Sequence, residues 1–123
     1  MAFTFEPDVR LRSRVEFTAV QERGSRVTSR YFTLLSLPRL GPPDRLGIIA
    51  SRRFGGAVVR NRAKRRLREI FRRAPRVTAR EAANGIALDL VAIPRRDLLT
   101  APHAVVASEF RRALERSRQV NRS

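Results

Sequence analysis

The alternation of hydrophobic and polar residues along this chain changes period several times, and each change predicts a new element. The apolar residues after Ser13 follow a helical period, and Glu16 lies three residues beyond Ser13, which is the spacing of a capping box. This pattern predicts a short helix over residues 14–23, which Gly24 would end in a left-handed conformation.

Three short apolar runs predict strands. Residues 31–37 and 46–51 lie on either side of a turn rich in glycine and proline, which favours an antiparallel hairpin between them. Residues 86–93 form a third run that ends at a proline and predicts a buried strand. The preceding residues, 76–85, are interpreted as a loop.

Two longer segments have the period of amphipathic helices. The first, over residues 57–73, has an apolar stripe that consists of Val59, Ala63, Leu67, Ile70, Phe71 and Ala74. The last segment is predicted to start near Pro102, with Thr100 as its cap. Its apolar stripe consists of Val106, Phe110, Ala113 and Leu114. The polar tail from about residue 117 is expected to fray. Together the elements predict one α+β domain over residues 1–123, with helices packed on a single sheet as a sandwich.

The net charge and the residue composition exclude several classes of function. The 123 residues include 27 Lys and Arg against 11 Asp and Glu, a formal net charge of +16, and Lys64 is the only lysine. A surface with this charge predicts a polyanionic partner. The absence of cysteine excludes disulfides and thiolate sites, and the single histidine, His103, excludes a pair of catalytic histidines.

The start of the chain and its hydropathy predict a cytoplasmic protein. Residues 1–14 contain several charged side chains and no apolar core of the kind that signal peptides have. No apolar run approaches the ~20 residues that a membrane-spanning helix needs. We therefore expect no membrane partner.

The basic residues are concentrated in one segment. Ten of them, opposed by Glu69 alone, lie in residues 52–73. In the predicted helix, the side opposite the apolar stripe carries Asn61, Lys64, Arg65, Arg68 and Arg72. This helix would extend about 25 Å at 1.5 Å per residue, a distance that spans several successive phosphates. Because guanidinium groups bind phosphate oxygens in pairs and stack on bases, we interpret this side as a nucleic-acid-binding surface.

Two other interpretations of the basic segment are weaker. A solvated helix face normally mixes positive and negative charges, whereas this one repels itself. A disordered arm would not show regular apolar spacing. Composition by itself does not distinguish RNA from DNA.

The residues around this helix resemble a known family. The resemblance is carried by RLGI at residues 45–48, SRRFG at 51–55, AV at 57–58, RNRAKR at 60–65, RE at 68–69 and FR at 71–72. This series resembles the bacterial ribonuclease P protein family, whose signature is an R-N-R helix behind a glycine-containing loop. A structural RNA-binding protein of the ribosomal type, and a DNA-binding module that reads a major groove, stay open as alternatives.

The resemblance implies both a fold and a reaction. The fold is a compact α/β sandwich in the order helix, three strands, helix, strand, helix, with a left-handed βαβ crossover. The reaction is removal of the 5′ leader from precursor tRNA by phosphodiester hydrolysis. Its catalyst is an RNA subunit with bound Mg²⁺, so the implied partners are that RNA and precursor tRNA. No catalytic residue, metal site, small-molecule substrate or oligomer is expected of the protein itself.

The resemblance also implies roles for individual residues. Contact with the catalytic RNA is implied for Arg60, Asn61, Arg62, Lys64, Arg65, Arg68 and Arg72. A cleft between the first helix and the sheet would receive the single-stranded leader, with Phe17 as its stacking surface. Arg52, Arg53 and Arg95 would supply charge near the leader phosphates.

Several of these positions have a simpler interpretation. On spacing alone Phe17 is more often a core residue, His103 an ordinary residue at a helix start, and Asp89 a polar strand position rather than a metal ligand. The family often has further aromatic residues where this chain has Gln21 and Leu35. We therefore expect its leader cleft to stack fewer bases and to depend more on arginine.

Overall fold

The computed structural model describes residues 10–41, 43–75 and 87–122. In chain order its elements are α1 (Arg14–Arg23), β1 (Ser25–Thr28), β2 (Phe32–Arg39), β3 (Arg45–Ile48), α2 (Ala57–Arg73), β4 (Ala87–Pro94), a 3-10 helix (Arg96–Leu99) and α3 (His103–Arg122). The α+β class is confirmed, as is the order helix, three strands, helix, strand, helix.

The predicted elements match most of the observed ones. α1 and α2 have the predicted boundaries, and β2, β3 and β4 overlap the three predicted strands. The hydrophobic pattern did not locate β1, which completes the three strands that the resemblance implied, because Val27 is its single buried residue and four residues are too few to show an alternation. The loop predicted over residues 76–85, and Ile86, lie outside the described residues.

The four strands form one mixed sheet in the order β1-β2-β4-β3. β2 pairs antiparallel with β1 and with β4, while β3 pairs parallel with β4. The hairpin predicted between β2 and β3 is therefore wrong, because β4 lies between them. The reason is that β4 is buried on both of its faces, which favours a position with neighbours on both sides. The parallel strands β3 and β4, with α2 between them in the chain, form a βαβ unit.

The sheet separates two hydrophobic layers. On one face α2 and α3 pack over the larger core, whose members include Phe32, Leu34 and Phe110. On the other face α1 covers a smaller cluster that includes Leu35 and Val91. Successive strand residues such as Leu34 and Leu35 contribute to different layers because strand side chains alternate between faces.

The predicted apolar stripes of α2 and α3 are confirmed as parts of the larger core. The residues of the two stripes in this core are Ala63, Leu67, Ile70, Phe71, Val106, Phe110, Ala113 and Leu114, together with Ala74 directly after α2. Val59, which begins the stripe of α2, is only partly buried. The Phe110 ring lies 5.6 Å from that of Phe32 and 6.3 Å from that of Phe71, which joins both helices to the sheet.

The predicted capping box of α1 is present. The Ser13 hydroxyl accepts a hydrogen bond from the Glu16 N–H at 3.2 Å, and the Glu16 carboxylate accepts from the N–H groups of Ser13 and Arg12 at 3.1 Å. The left-handed conformation predicted for Gly24 is wrong, because its backbone is extended (φ −74°, ψ 153°). A glycine is required there for space, since a Cβ would lie 2.3 Å from a carbonyl oxygen of α1 and 2.9 Å from that of Ser36.

The expectation that the C-terminal tail frays is wrong, since α3 continues through it. Ser117 is fully buried, and its hydroxyl donates to a backbone carbonyl of the preceding helical turn at 2.8 Å. Arg118 forms an ion pair with the fully buried Asp44. The amide of Asn121 donates to the Ser36 hydroxyl at 2.9 Å. The partners of Arg118 and Asn121 are remote in sequence, so local polarity does not reveal that the segment is anchored.

α3 starts at His103, which confirms the predicted start near Pro102, but Thr100 is not its cap. Thr100 follows the 3-10 helix, and its N–H donates to the carbonyl of Asp97. The Pro102 carbonyl accepts the first hydrogen bonds of α3, at 3.1 and 3.2 Å. The 3-10 helix, which the sequence pattern did not indicate, moves Thr100 away from the capping position.

Asp44→Ala tests the connection between α3 and the segment before β3. The Asp44 carboxylate accepts hydrogen bonds from the Leu88 N–H at 2.8 Å and from the Arg118 guanidinium. The substitution removes a fully buried member of an ion pair together with the acceptor of the Leu88 N–H, so we expect urea denaturation to show a loss of about 3–5 kcal/mol in the free energy of unfolding. Glu22→Ala removes the same charge from an exposed position of α1, and we expect a change within about 0.5 kcal/mol. Equal effects would contradict the role of Asp44.

Glu16→Gln tests the capping box through its pH dependence. The pKa of Glu16 is lowered from 4.5 to about 2, chiefly because the Arg12 N–H donates to its carboxylate. A lowered pKa in the folded state means that the carboxylate stabilises the fold above about pH 4.5, and that this contribution is lost as the pH falls towards about 2. We expect the variant to be less stable by about 1 kcal/mol near neutral pH.

The measurement is a series of urea titrations, followed by circular dichroism, between neutral pH and about pH 2. The difference in unfolding free energy between the natural chain and the variant should shrink as the pH falls. A difference that stays constant over this range would contradict the lowered pKa of Glu16.

Candidate nucleic-acid interface

Burial of one side of α2 determines the direction of the basic residues on its other side. Ala63, Leu67 and Ile70 face the larger core, so the residues on the opposite side of the helix point outward. Asn61, Arg62 and Arg65 are exposed, and Arg60, Lys64, Arg68 and Arg72 are partly buried. We call the group formed by Arg60, Asn61, Arg62, Lys64, Arg65 and Arg68 the α2 surface.

Most side chains of the α2 surface have no partner among the described residues. Across the part of the chain that the structure describes, no hydrogen bond or ion pair is formed by the side chains of Arg60, Asn61, Arg62, Lys64 and Arg65. Four of the five are cations, and no carboxylate in those ranges compensates them. The structure therefore brings the R-N-R residues together as an uncompensated positive surface on a helix that is anchored from behind.

Arg66 differs from its neighbours because its guanidinium is bonded within the protein. Its Nη1 donates to the Leu98 carbonyl at 2.5 Å, and its Nη2 donates to the Ala101 carbonyl. The two bonds join α2 to the 3-10 helix and to the start of α3. Arg66 therefore has a structural role, for which the local sequence carried no signal.

Arg72 lies at the C-terminal end of α2 and shares a carboxylate with Arg73. Nη2 of Arg72 is 2.6 Å from Oε1 of Glu69, and Nε of Arg73 is 2.9 Å from the same oxygen. These interactions lower the pKa of Glu69, with the hydrogen bond from Arg72 as the main cause. The positive charge predicted at Arg72 is thus partly compensated, unlike the charges of the α2 surface.

Arg68 is close to a cation from the segment before α1, which sequence analysis missed. Arg10 forms a parallel bridge with Leu46, and the Leu11 N–H donates to the Leu46 carbonyl at 3.2 Å, so this segment runs beside β3. Burial lowers the pKa of Arg68, and the charge of Arg10 lowers it further. No local pattern indicates the proximity, because it depends on pairing with a strand that is distant in sequence.

Phe17 lies on the other face of the sheet and is partly buried. Its ring covers Gly47 of β3, where a Cβ would lie 2.4 Å from Phe17 Cε1. Together with the partly buried Ile49 and Ile93, it packs against the cluster beneath α1. The ring therefore belongs to the edge of the core and also keeps an exposed portion, so its position is compatible with both the core and the stacking interpretation.

The two positions where the resemblance implied missing aromatic residues are both near α1. Gln21 is exposed on α1 itself, and Leu35 is 3% exposed in β2 beneath it. Within the described ranges, Phe17 is the only aromatic side chain of this cluster. Any base stacking here would therefore depend on a single ring.

Arg52, Arg53 and Arg95 lie at one edge of the sheet. β3 and β4 are parallel neighbours, so their C-terminal ends meet at the same edge. Arg52 and Arg53 follow β3 in a turn that is closed by a hydrogen bond from the Phe54 N–H to the Ser51 carbonyl at 3.0 Å. Arg95 follows β4 directly, and all three side chains are exposed. We call these three arginines with Phe17, Ile49 and Ile93 the Phe17 surface.

Other candidate chemistry does not converge on a site. The Asp89 carboxylate in β4 accepts from Nε and Nη2 of Arg45 at 2.8 and 2.9 Å, and His103 is exposed at the start of α3. Among residues 10–41, 43–75 and 87–122, no three His, Asp or Glu side chains are grouped as a metal site requires. None of the helices in those ranges combines the length and the hydropathy of a bilayer-spanning helix.

Comparison with known proteins gives consistent matches. The family model described as ribonuclease P matches residues 5–118. The ribonuclease P protein component of Gluconacetobacter diazotrophicus is 38% identical over 109 residues, which cover 88% of this chain and 90% of that protein. The component of Desulfatibacillum aliphaticivorans is 44% identical over 71 residues, or 58% of this chain, so the chain spans about 60% of the length of that relative.

A solved structure agrees with the sequence matches. The RNase P protein from Thermotoga maritima superposes with a TM-score of 0.71 and 32% identity, over 87% of this chain and 96% of that one. A family model that matches most of the chain, and relatives that match in sequence and in fold, show that this chain belongs to the ribonuclease P protein family.

Proposed function

We propose that this chain is the protein subunit of ribonuclease P, the endoribonuclease that removes the 5′ leader of precursor tRNA. It binds the catalytic RNA subunit through the α2 surface and the leader through the Phe17 surface. The RNA performs the hydrolysis, and the protein increases the affinity of the complex for its substrate, in the cytoplasm. The observation that carries the proposal is the group of uncompensated cations on the R-N-R helix of a member of this family.

The chemistry of the α2 surface suits an RNA backbone. Its guanidinium groups need no rearrangement of internal ion pairs before they bind phosphates, since they have no such pairs among the described residues. A phosphate between Arg68 and Arg10 would also relieve the repulsion between these two cations. Arg72 contributes less than the others, because Glu69 compensates part of its charge.

The Phe17 surface combines an aromatic ring for a base with arginines for phosphates, which are the two groups that bind a single strand. The exposed portion of the Phe17 ring can stack on one base, and the neighbouring Ile49 and Ile93 are apolar. Arg52 and Arg95, at the edge of the sheet, lie where phosphates of a strand that crosses β3 and β4 would pass. One ring and three arginines favour binding that depends more on charge than on stacking.

The described carboxylates do not suit a protein-bound Mg²⁺ ion. Glu16 and Asp89 both bind Arg45, and Glu69 binds the arginines at the end of α2. Mg²⁺ requires several oxygen ligands in octahedral geometry, and these carboxylates are neither grouped nor free of cations. We therefore assign Mg²⁺ to the RNA subunit.

The proposal is tested by reconstitution with ribonuclease P RNA, comparing the natural chain with R60A/R62A/R65A. Each lost charge-assisted contact costs about 1.5–3 kcal/mol, so we expect the variant to bind the RNA at least on the order of 10²-fold more weakly. The slope of log affinity against log salt concentration should decrease by about 3. The natural chain should lower the Mg²⁺ concentration that cleavage of precursor tRNA requires, and the variant should fail to do so at equal concentration.

The control removes three arginines from another exposed site, as R111A/R112A/R116A on α3, with the same change in net charge. Equal loss of affinity in both variants would indicate nonspecific attraction instead of a defined α2 surface. If the natural chain does not affect cleavage at any ratio, a structural RNA-binding protein of the ribosomal type is favoured. Equal affinity for duplex DNA and folded RNA would favour a DNA-binding module.

Phe17→Ala tests the leader site. Base stacking on an aromatic ring is worth about 1–3 kcal/mol, so the preference of the holoenzyme for leader-bearing over mature tRNA should fall roughly 5- to 150-fold. Val15→Ala, at an exposed position of the same helix, should leave the preference unchanged. A variant that loses only thermal stability, with its preference intact, would show that Phe17 is a core residue.

A further inference from the structure

α1 is held on the sheet by very little apolar burial. Among its apolar residues only Val20 is fully buried, while Phe17 and Ala19 are partly buried. A helix with one buried residue gains little from hydrophobic packing, so its position relative to the sheet requires another interaction. The position matters, because α1 carries the ring of the Phe17 surface.

That interaction is an ionic network centred on Arg45. Nη1 of Arg45 lies 2.8 Å from Oε2 of Glu16 on α1. The other side of the same guanidinium binds Asp89 in β4, with Nε and Nη2 at 2.8 and 2.9 Å from the two carboxylate oxygens. Arg45 is itself in β3, so a single planar group joins α1 to both parallel strands. Its side chain is 19% exposed, which protects these bonds from much of the solvent screening.

The Glu16 carboxylate connects this network to the first turn of α1. Its Oε1 accepts the N–H groups of Arg12 and Ser13, while its Oε2 accepts from Arg45. Both oxygens are therefore used, one to start the helix and the other to hold it against β3. The first turn cannot shift along the sheet without breaking one of these bonds.

Phe17 is adjacent to Glu16 in the chain, and its ring is in close contact with the backbone beneath it. Gly47 lies two residues after Arg45 in β3, and an atom added at its Cβ position would lie 2.4 Å from Phe17 Cε1. The ring thus rests directly on the backbone of β3. A movement of α1 by a fraction of an ångström would change how much of the ring stays exposed for a base.

We propose that Glu16 is a positioning residue for leader binding: its bond to Arg45 sets α1 on the sheet so that the Phe17 ring is presented to a base of the leader. The inference rests on the proposed role of Phe17. Glu16 itself does not contact the leader and acts through the orientation of α1.

The electrostatic effect of Glu16→Gln and its effect on the position of α1 would change leader binding in opposite directions. Glu16→Gln removes a negative charge from a protein that binds a polyanion, so electrostatics alone would strengthen leader binding. Loss of the bond to Arg45 would instead weaken the preference for the leader. The direction of the change therefore separates the two causes.

The experiment measures the affinity of reconstituted holoenzyme for leader-bearing and for mature tRNA with the full chain, E16Q, R45K and E22Q. We expect E16Q to lower the ratio of the two affinities roughly 3- to 30-fold, which does not exceed the loss expected for one stacked base. R45K keeps the charge but cannot bind Glu16 and Asp89 together, and should lower the ratio similarly. E22Q makes the same charge change at an exposed position of α1 and should leave the ratio unchanged or slightly raised.

The double variant E16Q/F17A tests whether Glu16 affects leader binding through the Phe17 ring. If Glu16 acts through the ring, the double variant should lose no more preference than F17A alone. Affinity for the RNA subunit, and the circular dichroism of each variant at the assay temperature, should match the natural chain, which separates positioning from unfolding.

Three results would overturn the inference: an unchanged or raised ratio for both E16Q and R45K, an effect of E22Q equal to that of E16Q, or additive losses in the double variant. A ratio that F17A leaves unchanged would instead contradict the proposed role of Phe17. The two failures are therefore distinguishable.

Discussion

A guanidinium group that leaves water must have its N–H groups bonded to oxygen atoms, and this requirement organises a chain with 27 basic and 11 acidic residues. Several partly buried arginines satisfy it within the protein, and three of them illustrate the different kinds of partner. Arg45 binds two carboxylates, Arg66 binds two backbone carbonyls, and Arg118 binds the buried Asp44. Because acidic residues are few, most other arginines remain exposed to water, and the protein surface is therefore strongly positive.

The two groups of arginines have different consequences. Those with internal partners connect elements that apolar burial leaves weakly joined: Arg45 joins α1 to the sheet, and Arg118 joins α3 to the start of β3. The uncompensated group lies on α2, whose opposite side is anchored in the larger core. α2 packs over the larger core, whereas the Phe17 ring packs against the cluster on the other face, so the sheet lies between the α2 surface and this ring.

The fold was predictable wherever its cause is local. The capping box of Ser13 and Glu16, and the apolar stripe of α2, depend on residues three or four apart, and both agree with the structure. The expectations that were wrong concern partners far apart in the chain. β4 lies between β2 and β3, so these two strands do not form the predicted hairpin. Arg118 pairs with a residue 74 positions away, and the C-terminal segment that was expected to fray is therefore held in α3.

The same distinction applies to the candidate site. By itself the sequence determined that a rigid helix carries an excess of positive charge opposite an apolar stripe, because helical geometry follows from residue spacing. Only the tertiary structure decided that Arg66 turns to carbonyls 32 and 35 residues away, and that Arg10 lies near Arg68. Whether a cation faces solvent or an internal oxygen depends on which distant backbone passes beside it, and packing alone establishes that proximity.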